Sequence, residues 1–220
     1  MRIAIPQVTL IEPAAHPLVF AGTRGERFQI SVLEDDVIRV QLLPDGKPRQ
    51  DRTWLVVGQN GDAPREGRRR DDLSPFSLPP FSREVRPNRV HIITRQLRVA
   101  VALDDLRLMW ADAQGNHFAA DLTGRAYPYD RASQAIFHYL ERRPGEHYYG
   151  FGERAGPLDK AGMRMRMLNL DALVAGLSRL DDVVHRSRGC AGAAHKVCRF
   201  VRAASNPVRR LPSIVGLFDG

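Results

Sequence analysis

The sequence predicts an all-β protein, an antiparallel β-sandwich, on three observations. Through the first 170 positions apolar residues alternate with polar ones at a period of two, and no segment there carries a sustained 3.6-residue stripe. The 220 residues include 18 glycines and 15 prolines, a loop-rich count that suits many short strands better than a helical bundle. Hydrophobic residues make up 43% of the chain, enough to bury a core, which excludes wholesale disorder.

The elements follow in order. Phe28, Ile30 and Val32 alternate with Gln29 and Ser31, the pattern of a half-buried strand. Glu34-Asp35-Asp36 turns the chain into Val37–Leu42, and Pro44-Asp45-Gly46 stops that strand. Asn60 to Pro87 reads as a long irregular stretch, because its prolines forbid a central strand. Arg89–Thr94 is β-branched and apolar. Leu97, Val99, Val101 and Leu103 face one way, Asp104-Asp105 forms a two-residue turn, and Leu106, Leu108 and Trp110 return in register. A turn at Asp112–Asn116 leads into His117–Leu122, completing a meander. Ala135–Glu141 and Met163–Leu170 are expected as further strands.

The tail differs in kind. Residues 174–220 contain no Tyr, Trp or Glu, and hold eight basic against three acidic residues, a large share of the net charge of +8. They show neither strand alternation nor a sustained helical stripe, so a short irregular or partly helical tail is expected, with Leu173–Val184 as the helical patch. Arg outnumbers Lys thirty to three, which a GC-rich coding sequence explains more simply than a selected phosphate-binding surface. Both cysteines, Cys190 and Cys198, lie in this tail, and such usage fits a reducing compartment. The longest stretch without a charged residue is the eleven positions Pro13–Thr23, too short to span a bilayer. Pro6, Gln7 and Glu12 interrupt any signal-peptide core. A soluble cytoplasmic protein is the expectation, without a membrane partner.

One block is far more specific than strand patterns. His147-Tyr148-Tyr149-Gly150-Phe151-Gly152-Glu153-Arg154 is followed by Pro157-Leu158-Asp159-Lys160-Ala161-Gly162 and then by Asn169-Leu170-Asp171-Ala172. This resembles the end of the N-terminal domain of glycoside hydrolase family 31, the α-glucosidase family, with its Tyr-Gly-Phe-Gly-Glu segment, Pro-Leu-Asp-Lys-x-Gly turn and Asn-x-Asp-Ala strand end. Upstream, Phe28–Leu42, the Trp54 strand, the Leu97–Trp110 hairpin and Tyr139-Leu140-Glu141 fall in the family's order. The resemblance covers residues 1–172. It implies a galactose-mutarotase-like β-sandwich over 1–172 and a non-family, Arg-rich tail over 173–220.

The resemblance also implies the chemistry. The family hydrolyses α-glycosidic bonds with retention, using two Asp residues on a (β/α)8 barrel that follows the sandwich. Such a mechanism needs two carboxyl groups about 5–5.5 Å apart, on a scaffold of about 250 residues. Only 48 residues follow Ala172, so the barrel and both catalytic carboxylates are expected to be missing and no catalytic residue is assigned. The family pattern breaks at Leu173, which points to a frameshifted or truncated gene. By resemblance, Asp171 is the residue that hydrogen-bonds a sugar hydroxyl at the barrel mouth, with Asn169 supporting it. A carboxylate suits that task because it accepts charge-assisted bonds from hydroxyls. The expected partner is carbohydrate, bound weakly, and the uncovered barrel-docking face is expected to drive self-association. No cofactor is expected.

Other constellations weigh less. His185, Cys190, His195 and Cys198 could ligate zinc by residue type, but the spacing is not that of a zinc motif, and no metal site is assigned. Arg68-Arg69-Arg70 is followed at once by Asp71-Asp72, so a solvated loop is favoured over phosphate binding. No aromatic residues interleave with the basic ones as a nucleic-acid platform would require. Glu153 and Arg154 read as an ion pair, and Gly150, Gly152, Gly156 and Gly162 as turn positions rather than a phosphate loop. A sugar epimerase on the same sandwich would need a His–Glu pair, and His16, His91, His117 and His138 show no spacing that selects one. An independent basic binding module using the tail is the remaining alternative, with no nucleic-acid partner assigned.

Overall fold

The computed structural model describes residues 2–12, 16–48, 50–53, 64–133, 135–149, 156–164 and 215–216. Among them there is no helix. The first sheet is built from β2 (Val8–Glu12), β3 (Leu18–Gly22), β4 (Arg27–Glu34) and β5 (Val37–Leu43), all antiparallel. A two-residue strand, β14 (Val215–Gly216), runs parallel beside β5. The second sheet has the order β12-β11-β10-β9-β8, formed by β8 (Ser82–Arg86), β9 (Arg89–Ile93), β10 (Leu97–Ala102), β11 (Leu108–Asp112) and β12 (His117–Ala120). Two small ladders complete the described fold, β1 (Arg2–Ile3) with β13 (Tyr129–Asp130), and β6 (Arg52–Thr53) with β7 (Arg68–Arg69).

The period-two pattern decides which side chains meet. Phe28, Ile30 and Val32 of β4 and Ile38, Val40 and Leu42 of β5 face Val90 and Ile92 of β9 and Leu97, Val99 and Val101 of β10 in one core. Full burial of each such side chain contributes about 1.5–3 kcal/mol. Phe28 touches Phe20 edge-on at 6.2 Å and Tyr127 at 5.2 Å. Hydrogen bonds stitch the sheets together, among them Val8 N–H to the Leu103 carbonyl at 2.8 Å and Thr94 Oγ1 to the Asp35 carbonyl at 2.6 Å.

Several expectations need correction. The turn between β10 and β11 is not two residues but spans Leu103–Arg107, with Ala102 N–H closing on the Arg107 carbonyl and Leu106 in the left-handed region at φ 57°. The Asp105 carboxylate makes the longer turn affordable by accepting from the Arg107 and Gly124 amides. The Asn60–Pro87 stretch is not wholly irregular, since it contributes β7 and β8. β8 stands at a sheet edge, where neighbouring prolines are tolerated. Ala135–Glu141 is no strand; it touches its neighbours through isolated bridges, Ile136 to Tyr129 and Leu140 to Asp121. Met163 and Arg164 are not in a strand, and 165–170 lie outside the described residues, as does the expected Trp54 strand.

Candidate functional site

The Pro-Leu-Asp-Lys-x-Gly segment folds into a turn gathered around one carboxylate. Asp159 Oδ2 accepts from His147 Nδ1 at 2.6 Å, while Oδ1 accepts the Tyr148 amide at 3.0 Å and the Ala161 amide at 2.9 Å. The His147 hydrogen bond, with the two amides behind it, holds the Asp159 carboxyl well below its ordinary range, at about 2. The Lys160 amide donates to the Tyr148 carbonyl at 2.7 Å, and the Met163 amide closes the turn on the Lys160 carbonyl at 3.1 Å. Gly162 sits at φ 77° inside that closure, which an L side chain would strain. Lys160 is buried, although the residues around it are partly exposed. His147 also stacks on Tyr149 at 6.3 Å.

This brace binds the chain at 147–149 to the chain at 159–163. Its last described residue, Arg164, precedes Asn169 by five positions. Asn169 and Asp171, the expected sugar contacts, lie outside the described residues. So do Gly150, Gly152, Glu153, Arg154 and the four tail residues His185, Cys190, His195 and Cys198. Among the described residues no group of three or more His, Cys, Asp or Glu could hold a metal ion. No helix among them is long and apolar enough to cross a membrane.

A second constellation was not foreseen. Asp121 is fully buried; its Oδ1 meets His138 Nε2 at 2.7 Å and its Oδ2 accepts the Leu108 amide at 2.9 Å. Tyr127 stacks flat on His138, with centroids 4.5 Å apart. Burial first, and then the adjacent Asp121, push the Tyr127 phenol well above its ordinary value. No spacing in the sequence announces this set, because isolated bridges bring its members together. Arg107 reinforces it by donating Nε to the Asp121 carbonyl at 2.9 Å and Nη2 to Glu141 at 2.8 Å.

The arginine run is also not a solvated loop throughout. Arg69 is exposed and grips Asp71 through two hydrogen bonds of 2.9 and 2.7 Å. Arg68 and Arg70, pointing the other way along β7 and its continuation, are buried. Alternation along the ladder sends 68 and 70 inward and 69 outward.

Two sheets packed over one core make the described fold a β-sandwich. The family profile of the glycosyl hydrolase 31 N-terminal galactose mutarotase-like domain matches residues 27–181, and the chain belongs to that family. Among solved structures, the chain is similar to a glycoside hydrolase family 31 dextranase of Flavobacterium johnsoniae in complex with glucose. That likeness has a TM-score of 0.58 at 17% identity and covers 73% of this chain and 18% of the dextranase. It is also similar to an uncharacterized protein of Listeria monocytogenes in complex with α- and β-D-glucose, magnesium and calcium. There the TM-score is 0.55 at 17% identity, over 74% of this chain and 14% of that one. Identity this low shows the shared fold alone, and the chain spans less than a fifth of either structure. No curated protein matches the chain.

Proposed function

We propose that the chain supplies the non-catalytic N-terminal sandwich of a retaining α-glycosidase, and that it hydrolyses no glycoside by itself. The observation that carries this reading is the Asp159 brace. It fixes the turn that leads toward Asn169 and Asp171, within the stretch matched by the family profile. In the reading, Asp171 accepts a hydrogen bond from a substrate hydroxyl at the mouth of a barrel, and Asn169 orients it. The two catalytic carboxylates belong to that barrel. The buried carboxylates described here already serve structure, Asp121 on His138 and Leu108, and Glu26 on Tyr129 and Arg24.

The same reading makes one sandwich face a docking surface. Leu122 and Leu140 are exposed on two stretches joined by the Leu122 amide and the Tyr139 carbonyl, and Leu158 is 79% exposed on the braced turn. Left uncovered, such apolar surface favours self-association.

The test joins the full chain in front of a family 31 barrel that has lost its own N-terminal domain. The reading expects restored hydrolysis of p-nitrophenyl α-glucoside, with Asp171→Ala lowering kcat/KM at least about tenfold, the loss of one charge-assisted hydrogen bond. Unchanged kcat/KM in Asp171→Ala would remove that residue from the site.

A further inference from the structure

The face of the first sheet that turns away from the sandwich core carries a buried layer of hydrogen-bond donors that the proposed function does not use. Ser31 of β4 and Arg39 of β5 stand directly opposite one another on that face, and both are buried. Arg39 Nη1 donates to the Arg70 carbonyl at 2.7 Å, which ties this face to the β7 ladder. Two residues before Arg70, on the same side of its strand, lies Arg68, only 7% exposed. Its guanidinium stacks over the Phe76 ring at 5.3 Å. Nε and Nη1 of Arg68 are buried with no hydrogen-bond partner, and Ser31 Oγ is in the same condition.

His16 adds a third donor beside Arg39. Its Nε2 accepts the Val32 amide at 3.2 Å, so the neutral ring carries its proton on Nδ1, which is buried without an acceptor. Burial foremost, and the nearby charge of Arg39, keep that ring below its ordinary value and therefore neutral near pH 7.

Two acids within electrostatic reach of this layer are already engaged elsewhere. Asp71 feels Arg39 through space but is bound by Arg69, and its side chain is 68% exposed. Asp72 feels Arg68 but accepts from Ser74. Buried guanidinium donors left open are costly, and the group that relieves them is a negatively charged acceptor. We propose that the open donors of Arg68 and Ser31, with the charge of Arg39 beside them, form an oxyanion-binding site on this sheet face, which takes a small molecule bearing a carboxylate or a phosphate.

The experiment follows thermal unfolding of the full chain while inorganic phosphate or D-glucuronate is titrated. D-glucose and sodium chloride at matched ionic strength serve as controls. The site predicts a rise in Tm with at least one of the two anions that exceeds that of either control and grows with the logarithm of anion concentration once the site fills. The effective anion distinguishes a phosphate ligand from a carboxylate one. In Arg68→Met that rise sets in at an anion concentration at least about tenfold higher, the loss of a charge-assisted hydrogen bond. Arg68→Lys keeps the charge without the Nε donor, and Ser31→Ala removes the sheet-side donor. Either gives the same reading, a rise that sets in at higher concentration, if Arg68→Met does not fold. No rise beyond that of sodium chloride, or an equal rise in wild type and in the folded variants, overturns the proposal.

Discussion

His147 Nδ1 donates to Asp159 Oδ2 at 2.6 Å across twelve positions of chain, and the other oxygen of the same carboxylate holds the amides of Tyr148 and Ala161. One side chain thus ties two segments that share no strand ladder. Asp159→Asn keeps the shape but gives up the negative charge and one acceptor. The expected result is a lower Tm at pH 7 and faster amide exchange over 147–149 and 159–163. Unchanged exchange there would remove the brace from the account.

The same carboxylate sets an acid limit. Its folded pKa, about 2, lies below the unfolded value near 3.9. Its stabilising contribution is therefore fully present above about pH 4 and lost as pH falls through about 2. Acid titration of wild type and Asp159→Asn should converge over that window, and parallel curves would contradict the assignment.

His16 acts at milder pH. Its folded pKa is lowered, so protonation below the unfolded value near 6.5 favours the unfolded chain. Stability should decline between about pH 7 and 5, with His16→Gln declining less. Thermal melts across that range measure it.

Asp121 is a fully buried carboxylate that holds both a backbone amide and a histidine. Asp121→Ala removes the His138 contact and leaves the buried Leu108 amide without its Asp121 acceptor, the amide alone costing about 1–3 kcal/mol. Denaturant unfolding should show a midpoint shift without a change in slope. At the alkaline end, Tyr127 stays neutral in the fold above the usual phenol value near 10, so its contribution is complete below that pH and lost as pH rises through the raised value. Tyr127→Phe should flatten that alkaline decline.

Gly22 is constrained by contact rather than by conformation. A Cβ there would lie 2.6 Å from Glu26 Oε2, the oxygen that accepts the Arg24 amide, while Oε1 accepts the Tyr129 hydroxyl at 2.9 Å. Gly22→Ala must displace Glu26 and should cost about 1–3 kcal/mol by overpacking. Glu26→Ala should abolish most of the further loss, as a double-mutant cycle would reveal.

The long alternating runs were legible. Phe28–Val32, Val37–Leu42 and Leu97–Val101 become β4, β5 and β10, because each residue's neighbours two positions away report the same face. Short pieces were not: β8 has a single exposed valine, Val85, in Ser82–Arg86, and its pairing with β9 rather than its own pattern makes it a strand. The Asp159 turn was legible through its resemblance to the family's Pro-Leu-Asp-Lys-x-Gly motif, with Gly162 as a turn position. Its His147 contact needed three dimensions. The inward turn of Arg68 and Arg70 was hidden for the opposite reason, since three adjacent arginines look uniformly solvated until a ladder sorts alternate ones to opposite faces.

The proposed function leaves this sandwich without glycosidase chemistry of its own. The most direct measurement incubates the purified full chain at micromolar concentration with p-nitrophenyl α-D-glucoside and α-D-xyloside and follows nitrophenolate release over hours. The account expects release indistinguishable from buffer with both. Release that scales with protein concentration and survives repurification would contradict it.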